Sequence, residues 1–236
     1  MCTWRNSLKV FAELSWVMDK AMSGNDLQPI FLTLTVKNVP GGDLSDTLKK
    51  MAEGWNRLFT GRGYKSNFLG WFRAVEVTYN KKNDTYHPHY HVLILAAREY
   101  FYGPGYKTTE EWSKAWKRAA RLDHDPVCYV QRVKNKVGAD YDTIGRKAYA
   151  EVAKYTVKSS DYIQADRKAT DATVKILTQA LANKRLHAYG GVLKLLAKQY
   201  EEEQREERKI RADIQAAIIQ YRWNIGAGRY ERKRGE

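Results

Sequence analysis

Hydrophobic and polar positions along the chain follow two patterns, one typical of helices and one typical of strands. Apolar residues recur every three or four positions, as on one face of a helix, at 5–22, from about 43 to 60, and at 108–122, 143–160 and 170–183. β-Branched and aromatic residues, partly alternating with polar ones, indicate strands at 28–38, 67–80, 84–96 and 126–134. A long, charged helical segment follows the glycine pair at 190–191. This order predicts an α+β fold, with an antiparallel central sheet flanked by helices and a helical C-terminal extension.

The segment 84–96, DTYHPHYHVLILA, contains three of the five histidines of the chain. Successive side chains of a strand point to opposite faces of the sheet, so His87, His89 and His91 share one face. The apolar residues that follow them indicate that this strand continues into the core. The pattern therefore predicts a row of imidazoles on one side of a buried strand.

A hairpin between the strand 67–80 and the histidine strand adds a carboxylate to this face. If the turn lies at 83–84, Glu76 is opposite His91 and Thr78 is opposite His89, with facing Cβ atoms about 5 Å apart. Two histidines and one carboxylate on one side of a metal ion leave its other side open, as a catalytic site requires. The alternative is a hydrogen-bonded or pH-sensitive histidine cluster without a metal. Magnesium or manganese is favoured over zinc, although the pattern alone does not name the ion.

The predicted helix at 148–163 carries a second candidate group. Glu151, Tyr155, Lys158 and Tyr162 are spaced to lie on one helical face. A phenol with a pKa of about 10 is a poor nucleophile unless a cation assists it. A neighbouring lysine and a metal on the sheet would provide that assistance. The alternative is a solvated polar stripe without a chemical role.

Composition narrows the class of partner. The net charge of +14, from 41 Lys and Arg against 27 Asp and Glu, favours a polyanion, most often nucleic acid. The 16 tyrosines and 7 tryptophans interleaved with basic residues suit stacking on unpaired bases. Cys2 and Cys128 provide neither a disulfide framework nor a complete zinc site. With no apolar run long enough for a membrane span and no secretory signal, we expect a soluble cytoplasmic protein without a membrane partner.

The histidine strand and the tyrosine helix together closely resemble the replication initiators (Rep proteins) of rolling-circle plasmids of Gram-positive bacteria. These proteins belong to the HUH endonuclease superfamily, named for a His-hydrophobe-His element, here residues 89–91. Several ordered segments carry the resemblance, which covers roughly residues 1–195: FLTLTVKN (31–38), WFRAVEVTYN (71–80), HPHYHVLI (87–94), EVAKYTVK (151–158) and KRLHAYGGVLK (184–194).

The resemblance implies a ferredoxin/RRM-like core and a reaction that nicks and rejoins DNA. Glu76, His89 and His91 would hold a divalent Mg²⁺ or Mn²⁺ ion. Tyr155 would attack the scissile phosphate, leaving a 5′-phosphotyrosine and a free 3′-OH.

Further roles follow from the same resemblance. Glu151, four residues before the tyrosine, resembles the residue that activates water to end replication by hydrolysis. Lys158 would orient the phosphate or the phenolate. His87 lies outside the ligand set of the family and is expected to support a ligand or to contact DNA.

The resemblance also implies a domain organisation and partners. Residues 1–165 would form the catalytic domain, and residues 166–236 would form a mainly helical segment. Cys2 would be the remnant of a zinc-binding element that either is truncated in this chain or was lost in this member of the family. Expected partners are plasmid origin DNA, double-stranded and single-stranded, with a host helicase and a DNA polymerase; a homodimer stays open. The alternatives are a single-tyrosine HUH transposase or relaxase, and a catalytically inactive origin-binding module. A zinc hydrolase acting on small molecules would explain neither the charge nor the tyrosine helix.

Overall fold

The computed structural model describes residues 3–61, 64, 67–133, 148–153, 166–219, 221–224 and 229–232. The helices in these ranges are α1 (Thr3–Met22), α2 (Leu44–Thr60), α3 (Thr109–Ala120), α4 (Arg167–Leu181) and α5 (Val192–Ile219). The strands are β1 (Leu27–Thr35), β2 (Phe68–Asn80), β3 (Thr85–Ala97), β4 (Cys128–Arg132), β5 (His187–Gly191), β6 (Tyr221–Asn224) and β7 (Arg229–Arg232). Short 3₁₀ helices lie at Gly41–Asp43 and Arg98–Phe101.

A five-stranded antiparallel sheet forms the centre of the first of two compact units, Met1–Leu196. Its order is β4-β1-β3-β2-β5, so the histidine strand β3 occupies the middle position and is paired on both sides. This confirms the predicted α+β fold with an antiparallel sheet. A central strand has no free edge, so the backbone that carries the histidines is held by hydrogen bonds on both sides.

One face of the sheet forms the main hydrophobic core. Alternate residues of β1, β2 and β3 point into it and pack with apolar residues of α2, α3 and α4. The sheet contributes Ile30, Leu32, Leu34, Val75, Val77, Tyr90, Val92 and Ile94, and the helices contribute Leu48, Met51, Trp55, Trp112, Trp116, Leu177 and Ala180. The intervening residues of the strands, which include Glu76 and the three histidines, point to the opposite face.

The contact between α2 and α3 is unusually close at Gly54. A Cβ atom added to this glycine would lie 2.7 Å from the Cα of Ala120, which is backbone and cannot rotate away. The start of α3 is fixed by a capping box: Thr108 Oγ1 accepts a hydrogen bond from the Glu111 backbone N–H, and Glu111 Oε2 accepts one from the Thr108 N–H. The close packing of α3 against α2 therefore depends on the small residues Gly54 and Ala120, and the start of α3 depends on the capping residue Thr108.

Strand β5 extends the sheet beside β2 and was missed by the sequence prediction. His187 pairs with Ala74, and the strand ends at Gly191, whose φ of +59° places it in the left-handed region. An added Cβ at Gly191 would also lie 2.1 Å from the carbonyl oxygen of Leu69, so only glycine fits there. Both α4 and β5, which the prediction assigned to the segment 166–236, belong to the first compact unit.

The second unit, Ala197–Glu236, contains most of α5 and a two-stranded antiparallel pair, β6 and β7. Its helical part, up to Ile219, confirms the predicted helical extension, whereas the residues from Tyr221 that were also expected to be helical form β6. The described part of α5 in this unit is largely exposed and highly charged. Among the described helices, none combines the length and the apolar character needed to cross a membrane.

Candidate metal centre and nuclease site

The hairpin of β2 and β3 brings Glu76 next to the histidines, in a register that differs from the predicted one. Glu76 pairs with His89, not with His91, and Thr78 pairs with His87. The reason is a four-residue turn at 81–84, closed by Asp84 in the left-handed conformation (φ +48°), where the prediction assumed a two-residue turn. The resulting shift of two residues is even, so the side chains keep the predicted face.

Glu76, His89 and His91 form a compact buried group. Glu76 Oε2 lies 2.8 Å from His91 Nε2 and 3.5 Å from His89 Nε2. One ligand atom from each residue lies within 4.8 Å of the others, and the three residues are between 4% and 9% exposed. The structure therefore brings together the three residues predicted to hold a metal, on two adjacent strands.

The Nδ1 atoms of His89 and His91 form further hydrogen bonds, which hold the two rings in orientation. His89 Nδ1 lies 3.2 Å from the carbonyl oxygen of His87, and His91 Nδ1 lies 3.3 Å from Thr33 Oγ1. A carbonyl only accepts, so Nδ1 of His89 donates this hydrogen bond and Nε2 faces the Glu76 carboxylate. Nε2 can therefore donate a proton to the carboxylate, or it can present a lone pair to a metal ion that lies between the two groups. Outer hydrogen bonds of this kind are the usual support of metal-binding histidines.

The electrostatics of Glu76 favour its charged form. Burial alone would raise the pKa of this carboxyl group, but the hydrogen bonds and charges of His89 and His91 hold the pKa well below its usual value. Glu76 is thus an ionised carboxylate at neutral pH. A carboxylate and two imidazoles form a donor set that fits Mg²⁺, Mn²⁺ and several other divalent ions.

His87 lies on the same face but outside this group. Its Nδ1 lies 2.8 Å from Asn38 Oδ1, and its ring centroid lies 5.4 Å from that of His89. Burial, and then the neighbouring His89, lower the pKa of His87. Its carbonyl oxygen supports His89, whereas a role of its side chain in DNA contact stays a prediction.

Several residues to which the sequence analysis gave no role lie on the same face of the sheet as the histidines. Thr33 lies directly opposite His91 on β1, and the Phe31 ring is 5.7 Å from the His91 ring between centroids. On the other side of β3, Ala74 pairs with both His91 and His187. The alternation in FLTLTVKN could have placed Thr33 on the polar face, but nothing in the sequence marked His187 because β5 was not recognised.

The predicted nucleophile helix is described only in part. Residues 148–152 are helical, with Tyr149 and Val152 buried and Glu151 half-buried. Tyr155, Lys158 and Tyr162 lie outside the described residues. Their approach to the metal group, and with it the role of Glu151, therefore stays a prediction.

Comparison with known proteins identifies the family. A family model described as "Replication protein" matches residues 1–230. "Protein rep" of Bacillus amyloliquefaciens is 40% identical over 210 residues, which cover 84% of this chain and 62% of the relative. "Protein rep" of Streptococcus pneumoniae is 37% identical over 204 residues, covering 84% of this chain and 60% of the relative. "Replication protein" of Staphylococcus aureus is 38% identical over 182 residues, covering 75% of this chain and 76% of the relative.

The chain thus spans a little over three fifths of the length of "Protein rep" of Bacillus amyloliquefaciens (62%). No solved structure matches it. The family match over nearly the whole chain, together with relatives of similar sequence in several Gram-positive bacteria, shows that this chain belongs to the replication protein family.

Proposed function

We propose that the chain is a replication initiator of rolling-circle plasmids that nicks and rejoins one DNA strand at the origin, with a divalent metal ion. The observation that carries this proposal is the buried group of Glu76, His89 and His91, found in a member of the replication protein family. The net charge of +14 supports a DNA partner. Both features are expected of an enzyme that acts on a phosphodiester.

The metal group would prepare the phosphate for attack. Mg²⁺ or Mn²⁺ bound there would polarise the scissile phosphate and stabilise charge on the departing 3′ oxygen. Glu76 contributes the negative charge of the site, and His89 and His91 present their Nε2 atoms toward it. Thr33 and the carbonyl of His87 hold the two rings in orientation.

The covalent step would use Tyr155. Its phenolic oxygen forms a bond to phosphorus while the bond from phosphorus to the 3′ oxygen breaks, which gives a 5′-phosphotyrosine and a free 3′-OH. Because one ester replaces another, the reaction runs in both directions without ATP, and the 3′-OH can prime a polymerase. Lys158 would orient the phenolate or the phosphate. Glu151 would activate water to hydrolyse the phosphotyrosine at the end of replication.

The partners follow from this chemistry. The origin would be bound as a duplex and cleaved as single-stranded or hairpin DNA, because an in-line attack needs an accessible phosphate. A host helicase and a DNA polymerase would then extend the 3′-OH. A homodimer stays open within this proposal.

Trapping the covalent intermediate tests the proposal. The protein is incubated with Mn²⁺ and an oligonucleotide that carries the origin hairpin, and adducts are separated by denaturing electrophoresis and mapped by mass spectrometry. We expect an adduct on Tyr155, none in Y155F, and an undiminished one in the control Y162F. E151A should form the adduct without releasing it by hydrolysis.

Three outcomes would contradict parts of this proposal. An adduct on Tyr162 would show that Tyr162, and not Tyr155, is the nucleophile. Normal hydrolytic release in E151A would remove the assigned role of Glu151. Tight origin binding without any adduct in the wild type would favour an inactive origin-binding module.

A further inference from the structure

Arg73 is a buried cation on the face of the sheet opposite the metal group. It lies on β2 three residues before Glu76, so its side chain points into the main core, and it is 6% exposed. The guanidinium lies over the Tyr90 ring at 4.7 Å and near the Trp55 ring at 5.7 Å from the centroids. Its Nε and Nη1 make no hydrogen bond with any residue that the structure describes.

A cavity of about 220 Å³ lies beside this guanidinium. Its wall combines apolar residues of α2, β2 and β3 with the segment between α4 and β5, and three further basic residues line it: Lys49, Lys184 and Arg185. None of the described residues that line it is acidic. The cavity therefore concentrates four positive charges, and two buried nitrogens of the adjoining Arg73 guanidinium have no hydrogen-bond partner among the described residues.

This arrangement is unfavourable unless an anion enters. Burial lowers the pKa of Arg73, and the nearby Arg185 lowers it further against the effect of Tyr90, yet arginine stays protonated in proteins. A buried charge without a counter-ion is costly. Tyr90 compensates part of that cost through its ring but offers no acceptor to the free Nε and Nη1 atoms.

We propose that this cavity is a phosphate-binding site, distinct from the Glu76–His89–His91 group. The planar fork of Arg185 matches a phosphate in a bidentate manner, the two lysines would add charge-assisted hydrogen bonds, and Arg73 would contribute its positive charge. The phosphate belongs either to DNA or to a free phosphate-bearing small molecule. This inference does not depend on the proposed nuclease activity, because the site is on the other face of the sheet.

Inorganic phosphate tests the site directly. The midpoint of thermal unfolding is measured against phosphate concentration, with sodium chloride added to keep the ionic strength constant and no divalent metal present. We expect phosphate to stabilise the wild type, and K49Q and R185Q to weaken its apparent affinity about 10-fold each, as the loss of one charge-assisted hydrogen bond implies. K50Q is the matched control, because Lys50 is the next residue of α2 and does not line this cavity.

The source of the phosphate is resolved by DNA affinity at fixed ionic strength. Weaker binding of single-stranded DNA by R185Q than by K50Q assigns the site to a DNA phosphate; equal binding assigns it to a free small molecule. The proposal is overturned if phosphate stabilises the wild type no more than chloride or acetate does. It is equally overturned if K50Q loses as much phosphate affinity as K49Q and R185Q.

Discussion

Replacing His91 with alanine probes the metal group most directly. The change removes one of the three proposed ligands while leaving β3 paired on both sides, so the sheet should stay intact. His87 provides a matched control on the same strand and face, because it carries the same side chain but lies outside the ligand group. The pair H91A and H87A therefore separates metal binding from any general effect of losing an imidazole here.

The expected magnitude follows from the number of ligands. Even the loss of a residue that only supports a ligand costs about 10–100-fold in metal affinity, so the loss of one ligand in three should cost about 100-fold or more. At a metal concentration about 100 times the wild-type Kd, the metal stabilises the fold by about 2.7 kcal/mol, whereas the same concentration stabilises H91A by only about 0.4 kcal/mol. For a chain of this size, the rise in Tm on adding metal falls from about 5–11 °C to about 1–2 °C.

The assay is thermal unfolding with and without Mn²⁺, followed by cleavage of origin DNA. Binding of duplex origin DNA and the unfolding midpoint without metal serve as checks that H91A is folded. That midpoint also reports on the loss of the hydrogen bond between His91 and Glu76. We expect H91A to bind duplex DNA, to lose the response to metal and to lose cleavage.

Two results would refute this reasoning. If H91A shows the full metal-dependent rise in Tm and cleaves normally, the metal does not bind at this group. If H87A loses the response as completely as H91A, the assignment of His87 outside the ligand set is wrong.

Three further predictions concern the fold. G54A should destabilise the protein by about 1 kcal/mol in urea unfolding. Overpacking costs about 1–3 kcal/mol, whereas the higher helix propensity of alanine contributes about 1 kcal/mol of stability. The control G42A, with open space around Gly42, should show no such loss. T108A should lower the free energy of unfolding by about 1 kcal/mol, because it removes the capping box. The neighbouring T109A is a control that leaves the cap intact, and equal losses of stability in the two variants would contradict the role of the cap. Burial raises the pKa of Cys128 to about 11 from an ordinary 9.0. The thiol should therefore be alkylated at pH 8 about 100-fold more slowly in the native protein than in urea. Equal alkylation rates, measured by peptide mass spectrometry, would refute this.

The sequence predicted the parts of the fold that depend on strong periodic patterns. The strands of the central hairpin and the helices α1, α2, α3 and α4 were found within a few residues, because their apolar positions recur regularly. Strand β5 was missed because HAYGG is short, contains two glycines and has no β-branched residue. The end of α5 was misplaced for a similar reason, since the charged segment has no strong signal that separates a helix from the short strand β6.

The sequence predicted which residues form the metal group, but not the register in which β2 and β3 pair. Alternation along a strand fixes which side chains share a face, so Glu76 and the histidines were placed together correctly. The pairing of Glu76 depended on the length of the turn, which is set by Asp84 in a left-handed conformation, and that conformation is not visible in the residue order KKND. The burial of Arg73, with two guanidinium nitrogens that have no hydrogen-bond partner among the described residues, could not be predicted either. An arginine in a strand is ordinarily expected to be exposed.

The position of β5 at the edge of the sheet has a consequence during synthesis. The strands β1 to β4 are complete once residue 132 has been made, but β5 follows only after about 55 further residues. At roughly 5–20 residues per second, the outer edge of β2 lacks its neighbour for roughly 3–11 s on the ribosome. During that time an open row of backbone donors and acceptors borders the strand that carries Glu76, and such an edge invites pairing with other chains. Until residues 187–191 emerge, a nascent chain of this protein is thus exposed along this edge to aggregation or to capture by a chaperone.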